Sequence, residues 1–208
     1  MNEITKIFIG TIIGSFVLAV VIFAGYQHSL KSEGRISFPA GDTYLGPTPT
    51  QTNQKQAFTA SKDTPWVSYS GNLYPYTFSY PETLSLVSFT NDSVGIDWTG
   101  VPPEQNVLVN IELIETQDPN LVGKPLEYVQ DWWQYFSGLK GVRSVTEFTN
   151  SQGLKGYKAI YINQAGESPN VDVFFETPNE PSILIHLANG ILDPEIFERI
   201  IDSVKFGQ

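Results

Sequence analysis

The chain of 208 residues contains no cysteine and only two histidines. The absence of cysteine excludes a disulfide-stabilised scaffold, a thiol nucleophile, an iron–sulfur cluster and every zinc site that uses thiolate ligands. Basic residues are also few, because 12 Lys and Arg stand against 22 Asp and Glu and give a formal net charge of -10. Nucleic-acid binding depends on clustered Lys and Arg, so this balance argues against a nucleic-acid partner.

A long apolar run near the amino terminus is the first feature that is present. Residues 7–26 contain no charged side chain, and about 20 apolar residues are what a helix needs to cross a bilayer. We therefore expect residues 1–36 to be a retained transmembrane anchor with its flanks, the protein's contact with the membrane. A cleaved signal peptide is the alternative, although its apolar core is usually shorter and residues 22–24 form a poor cleavage site. Both interpretations place most of the chain outside the cytoplasm.

Composition then divides the rest of the chain. Residues 37–65 are rich in Pro, Thr, Gln and Ser, which predicts a flexible linker that cannot bury enough apolar surface to fold. Residues 66–208 are expected to form one extracytoplasmic domain, which carries 18 acidic and 7 basic residues. An acidic domain on a linker would be held away from an anionic membrane surface, although solubility is the simpler explanation of the charge.

Within that domain the residue pattern is mainly that of β-strands. Branched and aromatic residues alternate with polar ones, and the runs are separated by Asn, Asp, Gly and Pro turns. The predicted strands are residues 74–80, 84–89, 94–98, 107–114, 142–149, 157–163, 171–176 and 183–188. Helical spacing over residues 125–136 predicts a central helix, and Asp193 followed by Pro194 predicts the start of a last helix. An antiparallel sheet of about six or more strands flanked by helices, an α+β fold, follows from this order.

Two sequence motifs make the chain similar to a known family. The opening YTFSYPETLSLVSF at residues 76–89 and the closing FERIIDSVKF at residues 197–206, with a helix between them, resemble the PsbP-like domain, named for an extrinsic protein of photosystem II. The resemblance covers residues 74–206. It implies a central antiparallel sheet with helices on both sides, frequent export and membrane attachment, and accessory or assembly roles without a shared catalytic motif. The anchor departs from the photosynthetic members, and no role in photosynthesis is inferred.

Catalytic and metal-binding motifs are weak in this sequence. A Ser-His-acid triad needs a histidine, and the domain has only His186, which we expect to be a polar strand residue on a solvated face; a ligand-facing or pH-sensitive group is the alternative. Asn91, Asp92 and Asp97 could offer oxygen ligands to calcium, but a hairpin turn explains them better. No phosphate-binding or dinucleotide motif is present. We therefore expect no cofactor, no metal and no enzymatic activity, although no pair of acidic residues is singled out or excluded as catalytic.

Aromatic side chains are the remaining candidates for binding. Trp66 and Tyr69 precede the first predicted strand and are expected to be exposed, and Trp132 neighbours Trp133 on the central helix, where one of the two should pack inward. With His186 these are the candidate contacts for a ligand or partner. We expect a membrane-anchored binding or assembly domain that acts noncovalently on a protein partner at the membrane. Binding of a small molecule or cell-wall glycan is the alternative, and an extracytoplasmic hydrolase has the least support.

Overall fold

The structure is a computed structural model that describes residues 57–98, 100–136, 138–168 and 170–207. The expected anchor in residues 1–36 and most of the predicted linker lie outside the described residues. Among the described residues, no helix is long and apolar enough to cross a membrane.

The described residues form eleven β-strands and three α-helices. The strands are β1 (Trp66–Ser70), β2 (Tyr76–Pro81), β3 (Ser85–Ser88), β4 (Val94–Asp97), β5 (Val107–Leu113), β6 (Leu139–Thr149), β7 (Lys155–Asn163), β8 (Gly166–Glu167), β9 (Asp172–Glu176), β10 (Ile183–Ala188) and β11 (Lys205–Phe206). The α-helices are α1 (Ile114–Gln117), α2 (Pro125–Asp131) and α3 (Pro194–Ser203), and 3-10 helices span Pro103–Gln105, Pro119–Leu121 and Trp132–Tyr135.

The strands form two sheets. Eight strands build the large sheet in the order β3-β4-β5-β10-β9-β7-β6, with β8 paired to β7, and every pairing in it is antiparallel. The small sheet has the order β1-β2-β11. The predicted α+β fold with an antiparallel sheet of six or more strands is confirmed, and each of the eight predicted strands is found; β1, β8 and β11 were not predicted.

Both faces of the large sheet are covered by apolar side chains. Alternation along β9 shows this directly, because Val173 and Phe175 belong to one core cluster and Phe174 belongs to the other. The first cluster also contains buried residues of α3 and β2, and the second contains those of α2 and the 3-10 helix that follows it. A polar residue in a central strand is therefore buried whichever face it occupies.

The two predicted helices differ in how well the sequence located them. Helix α3 begins as expected, with the Asp193 side chain accepting a hydrogen bond from the N–H of Glu195 and with Pro194 in the first turn. The central helix is α-helical only over Pro125–Asp131 and then tightens into a 3-10 helix. Spacing predicts an apolar face that includes Leu126 and Val129, and this is wrong at Leu126, which is 40% exposed, because the helix turns Tyr128 as well as Val129 toward the sheet.

The packed domain begins before residue 66. Phe58, inside the predicted linker, is buried, and its N–H donates to the carbonyl O of Ile191 at 2.8 Å. Its own carbonyl accepts from the N–H of Asp193 at 3.0 Å. The segment just before β1 is thus held at the start of α3, because one aromatic residue in a polar stretch fills a place in the core.

A buried asparagine joins the β6–β7 turn to the end of α3. The Asn150 side chain donates to the carbonyl oxygens of Ile201 and Val204 at 3.1 and 2.8 Å, and its Oδ1 accepts from the N–H of Leu154 at 2.9 Å. The amide thus supplies a donor to the Val204 carbonyl just beyond the helix and a second donor to the Ile201 carbonyl, which also accepts from the N–H of Val204 at 3.2 Å.

Replacing Asn150→Ala should lower the free energy of unfolding by about 2–4 kcal/mol, because the buried N–H of Leu154 and the buried carbonyl of Val204 lose their bonds to this side chain. Chemical denaturation would measure the loss, with Gln152→Ala in the same turn as a control expected to change stability by less than about 1 kcal/mol. Equal stabilities of the two variants would contradict this role for Asn150.

Candidate functional site

A row of three charged side chains crosses the large sheet beneath α2. His186 on β10 lies between Glu112 on β5 and Asp172 on β9. Its Nδ1 is 3.0 Å from Oε1 of Glu112, and its Nε2 is 2.9 Å from Oδ1 of Asp172. All three residues are buried: the exposed fraction is 7% for His186, 1% for Glu112 and 6% for Asp172.

The register of the strands explains why these residues meet. His186 stands opposite Asn110 on β5 and Phe174 on β9, and side chains two positions along a strand share the same face. Glu112 and Asp172 are therefore the diagonal neighbours of His186, one on each side. Diagonal neighbours in a sheet are within reach of long polar side chains.

The Glu112 carboxylate is fully surrounded by donors. Its Oε1 accepts from the Asn110 side-chain amide at 2.9 Å as well as from His186, and its Oε2 accepts from the Tyr128 hydroxyl at 2.9 Å and the Gln117 amide at 3.2 Å. Four donors use the whole hydrogen-bonding capacity of a carboxylate. Tyr128 comes from α2 and Gln117 from α1, so this carboxylate ties the helical layer to the sheet.

Two acceptors on one imidazole fix its charge. A histidine can donate through both ring nitrogens only when it is protonated. Burial by itself lowers the pKa of His186, but the hydrogen bonds and charges of Asp172 and Glu112 outweigh it and raise the pKa to about 9. Burial raises the pKa of Glu112, and the hydrogen bond and charge of His186 more than offset this, so that pKa is lowered overall. The site is an imidazolium between two carboxylates.

Two aromatic rings that also contact each other, with centroids 5.4 Å apart, pack against the imidazolium. The Phe174 ring stacks on His186 with centroids 4.2 Å apart and an interplanar angle of 7°, and Trp132 approaches edge-on at 4.7 Å. A cation over an aromatic face is stabilised by the ring quadrupole. The indole Nε1 of Trp132 is buried without a hydrogen-bond partner in the described part of the chain.

Of the four candidate residues, the structure brings two together. Trp132 and His186 are in contact in the second core cluster, and Trp132 is the inward-facing member of its pair because only 6% of it is exposed. The expectation that His186 lies on a solvated face is wrong. Its face of the sheet is covered by α2 and the 3-10 helix, a layer that strand alternation alone does not reveal.

Trp66 and Tyr69 lie apart from this site, on β1 of the small sheet, and both are half-buried. The Arg199 guanidinium lies 3.9 Å from the centre of the Trp66 ring. Tyr69 stacks on Phe78 at 5.1 Å, and its hydroxyl donates to Ser88 at 2.9 Å. Each ring is thus engaged by its own chain rather than standing free in solvent.

The calcium interpretation of the β3–β4 turn gains no support. The Asp92 carboxylate accepts from the N–H groups of Asn72, Leu73 and Tyr74 at 2.7, 3.1 and 3.0 Å, and Asn91 accepts from Ser93. The Asp92 oxygens therefore hold the β1–β2 loop, and the Asn91 oxygen bonds within its own turn. Among the described residues, no group of three His, Asp or Glu side chains is arranged to hold a metal ion.

The buried row is unsuited to catalysis. A general base needs a free lone pair on its imidazole, and both nitrogens of His186 are committed to carboxylates. The nearby Tyr128 hydroxyl is completely buried, and burial together with the Glu112 charge raises its pKa above its ordinary value, so it stays neutral. The hydrogen bonds of this row instead hold α1 and α2 against the large sheet.

Sequence inspection missed Glu112, Asp172 and Tyr128. A usable signal existed, because β5, β9 and β10 each carry a charged residue or histidine inside a run of apolar residues. In a sheet with both faces covered, such residues are buried, and a buried charge needs a partner, so they are expected to pair with one another.

A shallow cleft of about 230 Å³ lies elsewhere, between β6 and α3. Phe148 forms part of its lining, and its charged groups are already engaged, with Lys158 2.6 Å from Glu198 and Asp202 accepting from Ser151 at 2.7 Å. None of the four candidate residues lines this cleft.

The outer side of β6 is the other notable surface. β6 is the terminal strand of the large sheet, eleven residues long, and among the described residues no strand pairs with its outer side. The backbone N–H of Asn150, just after β6, donates to the carbonyl O of Leu154 at 3.1 Å and therefore points toward β7. Directions alternate along a strand, so Val145, Glu147 and Thr149 direct their N–H and C=O groups away from the sheet.

Comparison with known proteins adds no relative to this description. No protein-family model matches the chain, and a search of the curated proteins finds no match.

Replacing His186→Leu should lower the free energy of unfolding by about 3–5 kcal/mol, because two buried carboxylates then lose their shared cation. Adding Glu112→Gln and Asp172→Asn to this variant should recover part of the loss, since no buried carboxylate remains unpaired. Denaturation followed by tryptophan fluorescence would compare the three proteins. A loss below about 1 kcal/mol for His186→Leu would contradict the ion cluster.

The pH dependence of stability provides a separate prediction. A histidine in an unfolded chain titrates near pH 6.5, and the folded pKa of His186 is raised to about 9. Its contribution is therefore complete below about pH 6.5 and is lost as the pH rises to about 9, a decline of about 3 kcal/mol.

Unfolding free energies measured from pH 5 to pH 10 would reveal this decline, and a His186→Gln variant should lack it. On the acid side, the lowered pKa of Glu112 means that its contribution is complete above its ordinary pKa and is lost as the pH falls. A wild-type stability that stays constant between about pH 6.5 and 9 would contradict the assignment.

Proposed function

We propose that this chain is a membrane-anchored protein whose acidic domain lies outside the cytoplasm and binds a protein partner noncovalently at the membrane. The domain would act as an accessory or assembly module, the kind of role that the resemblance to the PsbP-like domain implies. Its binding surface is the outer edge of β6, and its anchor and linker restrict it to partners near the same membrane.

The uncovered edge of β6 is the observation that carries this proposal. Unpaired N–H and C=O groups in a row are a ready template for an additional strand, and extended segments of partner proteins bind in this way. From Ser144 to Thr149 the pairing with β7 is regular, so this part of the edge is straight enough to accept one. No proline interrupts β6.

The alternatives have less support in the described residues. A hydrolase would need a poised acid pair or a free histidine, and His186 is sealed and fully hydrogen-bonded. A glycan binder would use exposed aromatic rings beside a pocket, but Trp66 is covered by Arg199 and Tyr69 stacks on Phe78. Protein binding through a strand edge requires neither feature.

In-cell crosslinking of the full-length chain would test the proposal. A photoreactive residue placed at Glu147 should capture a defined partner, whereas one placed at the exposed Glu104, in a 3-10 helix away from β6, should not. Glu147→Pro should abolish capture from a probe placed at Thr149, because proline removes one outward N–H group without breaking a bond to β7.

Glu147→Ala is the matched control, because it loses the same contact with Lys155 but keeps the backbone N–H. It should retain capture at close to the wild-type level. Undiminished capture by Glu147→Pro would exclude the edge as the binding surface. The absence of any captured chain from either edge position would overturn the proposed function.

A further inference from the structure

We propose that the outer edge of β6 binds an extended segment of a partner protein that carries a lysine or arginine facing Phe148 and an apolar residue facing Val145. This inference rests on the proposed function, because it names the chemistry of the partner at the same surface. It follows from the different surroundings that the two faces of the large sheet give to side chains added along this edge.

Side chains of β6 alternate between the two faces of the sheet. Glu147 stands opposite Tyr157, which belongs to the second core cluster, so Glu147 lies on the face that α2 covers. Phe148, the next residue, packs against the first core cluster and lies on the face that α3 covers. An added strand continues this alternation, so its successive side chains meet first one face and then the other.

On the α3 face, the shallow cleft between β6 and α3 has an excess of negative charge. Its charged lining consists of Lys158, Glu198 and Asp202, one ammonium against two carboxylates. Lys158 lies 2.6 Å from Glu198. In the described part of the chain, the Asp202 carboxylate accepts from the hydroxyl and the N–H of Ser151 at 2.7 and 2.8 Å, and these neutral donors leave its charge uncompensated. One further cation would balance the cleft.

Asp202 is both charged and accessible. Hydrogen bonds from the Ser151 side chain and backbone lower the pKa of Asp202, so its carboxylate stays ionised at neutral pH. The residue is exposed to solvent. A cationic side chain on an added strand can therefore reach it without displacing any part of the core.

Phe148 shows how a cation is accommodated in this cleft. The Lys158 ammonium lies 5.9 Å from the centre of the half-buried Phe148 ring while it reaches Glu198. A residue of the added strand that faces Phe148 approaches the same ring from the open side of the edge. The aliphatic stem of a lysine or arginine can cover the ring there, and its charged head can extend to Asp202.

The α2 face of the same edge favours an apolar residue. Val145 is half-buried and packs against the second core cluster. Glu147 on this face already contacts Lys155 at 3.3 Å, so a basic residue opposite Glu147 would also meet that lysine. A β-branched or other apolar residue that faces Val145 would instead extend the core outward, since cross-strand apolar pairs stabilise a sheet.

The charge of the whole domain favours the same kind of segment. Residues 66–208 carry 18 acidic and 7 basic side chains, so a basic segment is attracted and an acidic one is repelled. Shifts in the pairing of β6 with β7 before residue 144 confine the regular edge to residues 144–149. The bound segment is therefore short, and its specificity depends on the few side chains that this edge can contact.

Sequencing of the captured segment would test this chemistry directly. The full-length chain with the photoreactive residue at Glu147 would be crosslinked in cells, and mass spectrometry would identify the partner residue attached to the probe. The two neighbours of that residue face Thr146 and Phe148 on the α3 face. We expect at least one of them to be lysine or arginine, and the residue two positions away that faces Val145 to be apolar.

Charge variants of Asp202 in the same probe-bearing chain add an independent test. Asp202→Asn keeps an acceptor for Ser151 and should lower capture about threefold, whereas Asp202→Lys should lower it about tenfold because it sets like charges against each other. Glu104→Gln and Glu104→Lys are the matched controls, since they change the net charge equally at an exposed site away from β6 and should leave capture unchanged. In isolated membranes, added NaCl should reduce capture by the wild type more than by Asp202→Asn.

A compensating change in the partner completes the test. Replacing its cleft-facing basic residue by glutamate should lower capture, and combining that change with Asp202→Lys should restore it. Resistance to protease identifies the folded variants, and Asp202→Asn decides alone if Asp202→Lys does not fold.

The inference is overturned if both neighbours of the crosslinked residue lack a positive charge, or if the Asp202 variants capture as much partner as the Glu104 variants. Either result would leave the proposed function standing, because a defined partner is still captured at the edge. If the probes at Glu147 and Thr149 capture no chain, both proposals fail.

Discussion

The hydrogen-bonded row of Glu112, His186 and Asp172 joins three adjacent central strands, and the helical layer on one face of the sheet is attached through it. Removing charges from water is costly, and the arrangement is stable only because each nitrogen of the imidazolium meets an oxygen and each oxygen of Glu112 meets donors. Tyr128 carries this connection from the sheet into α2. A second buried hydrogen bond, from the Tyr161 hydroxyl to the carbonyl O of Val129 at 2.6 Å, joins the same helix to β7.

The same row constrains where function can reside. In this row His186, Glu112 and Asp172 hold strands and helices together. Both nitrogens of the imidazole are hydrogen-bonded to carboxylates, so no lone pair is left for proton transfer. Apolar side chains and helices cover both faces of the large sheet. What remains accessible is the rim of the sheet, and the long terminal strand β6 offers more unpaired backbone than the four-residue β3 at the opposite end.

Much of the architecture was predictable because period-two alternation and turn residues are local signals. All eight predicted strands are present, and the cap of α3 at Asp193 follows from the residues beside it. Strand β11 spans two residues and owes its place to pairing with β2, so no local pattern marks it. The central helix was misjudged at Leu126 because apolar spacing does not reveal that the buried face includes Tyr128, whose hydroxyl bonds to Glu112.

The site was far less predictable than the fold. Alternation placed His186 on the face opposite Ile185 and Leu187, but the state of that face depends on a layer formed by distant residues. Glu112 and Asp172 lie 74 and 14 positions from His186, and only the strand order β5-β10-β9 brings them together. The edge position of β6 is likewise a property of the strand order, which the sequence of β6 alone does not contain.

Amide hydrogen exchange on the full-length protein would test most directly whether the outer edge of β6 is a binding surface. Exchange at Val145, Glu147 and Thr149 would be compared between the protein in its native membranes and the purified protein at high dilution. The account predicts slow exchange of these three amides in the membranes and fast exchange on dilution, while the neighbouring amides that bond to β7 stay slow in both. Equally fast exchange of the outward amides in both conditions would contradict it.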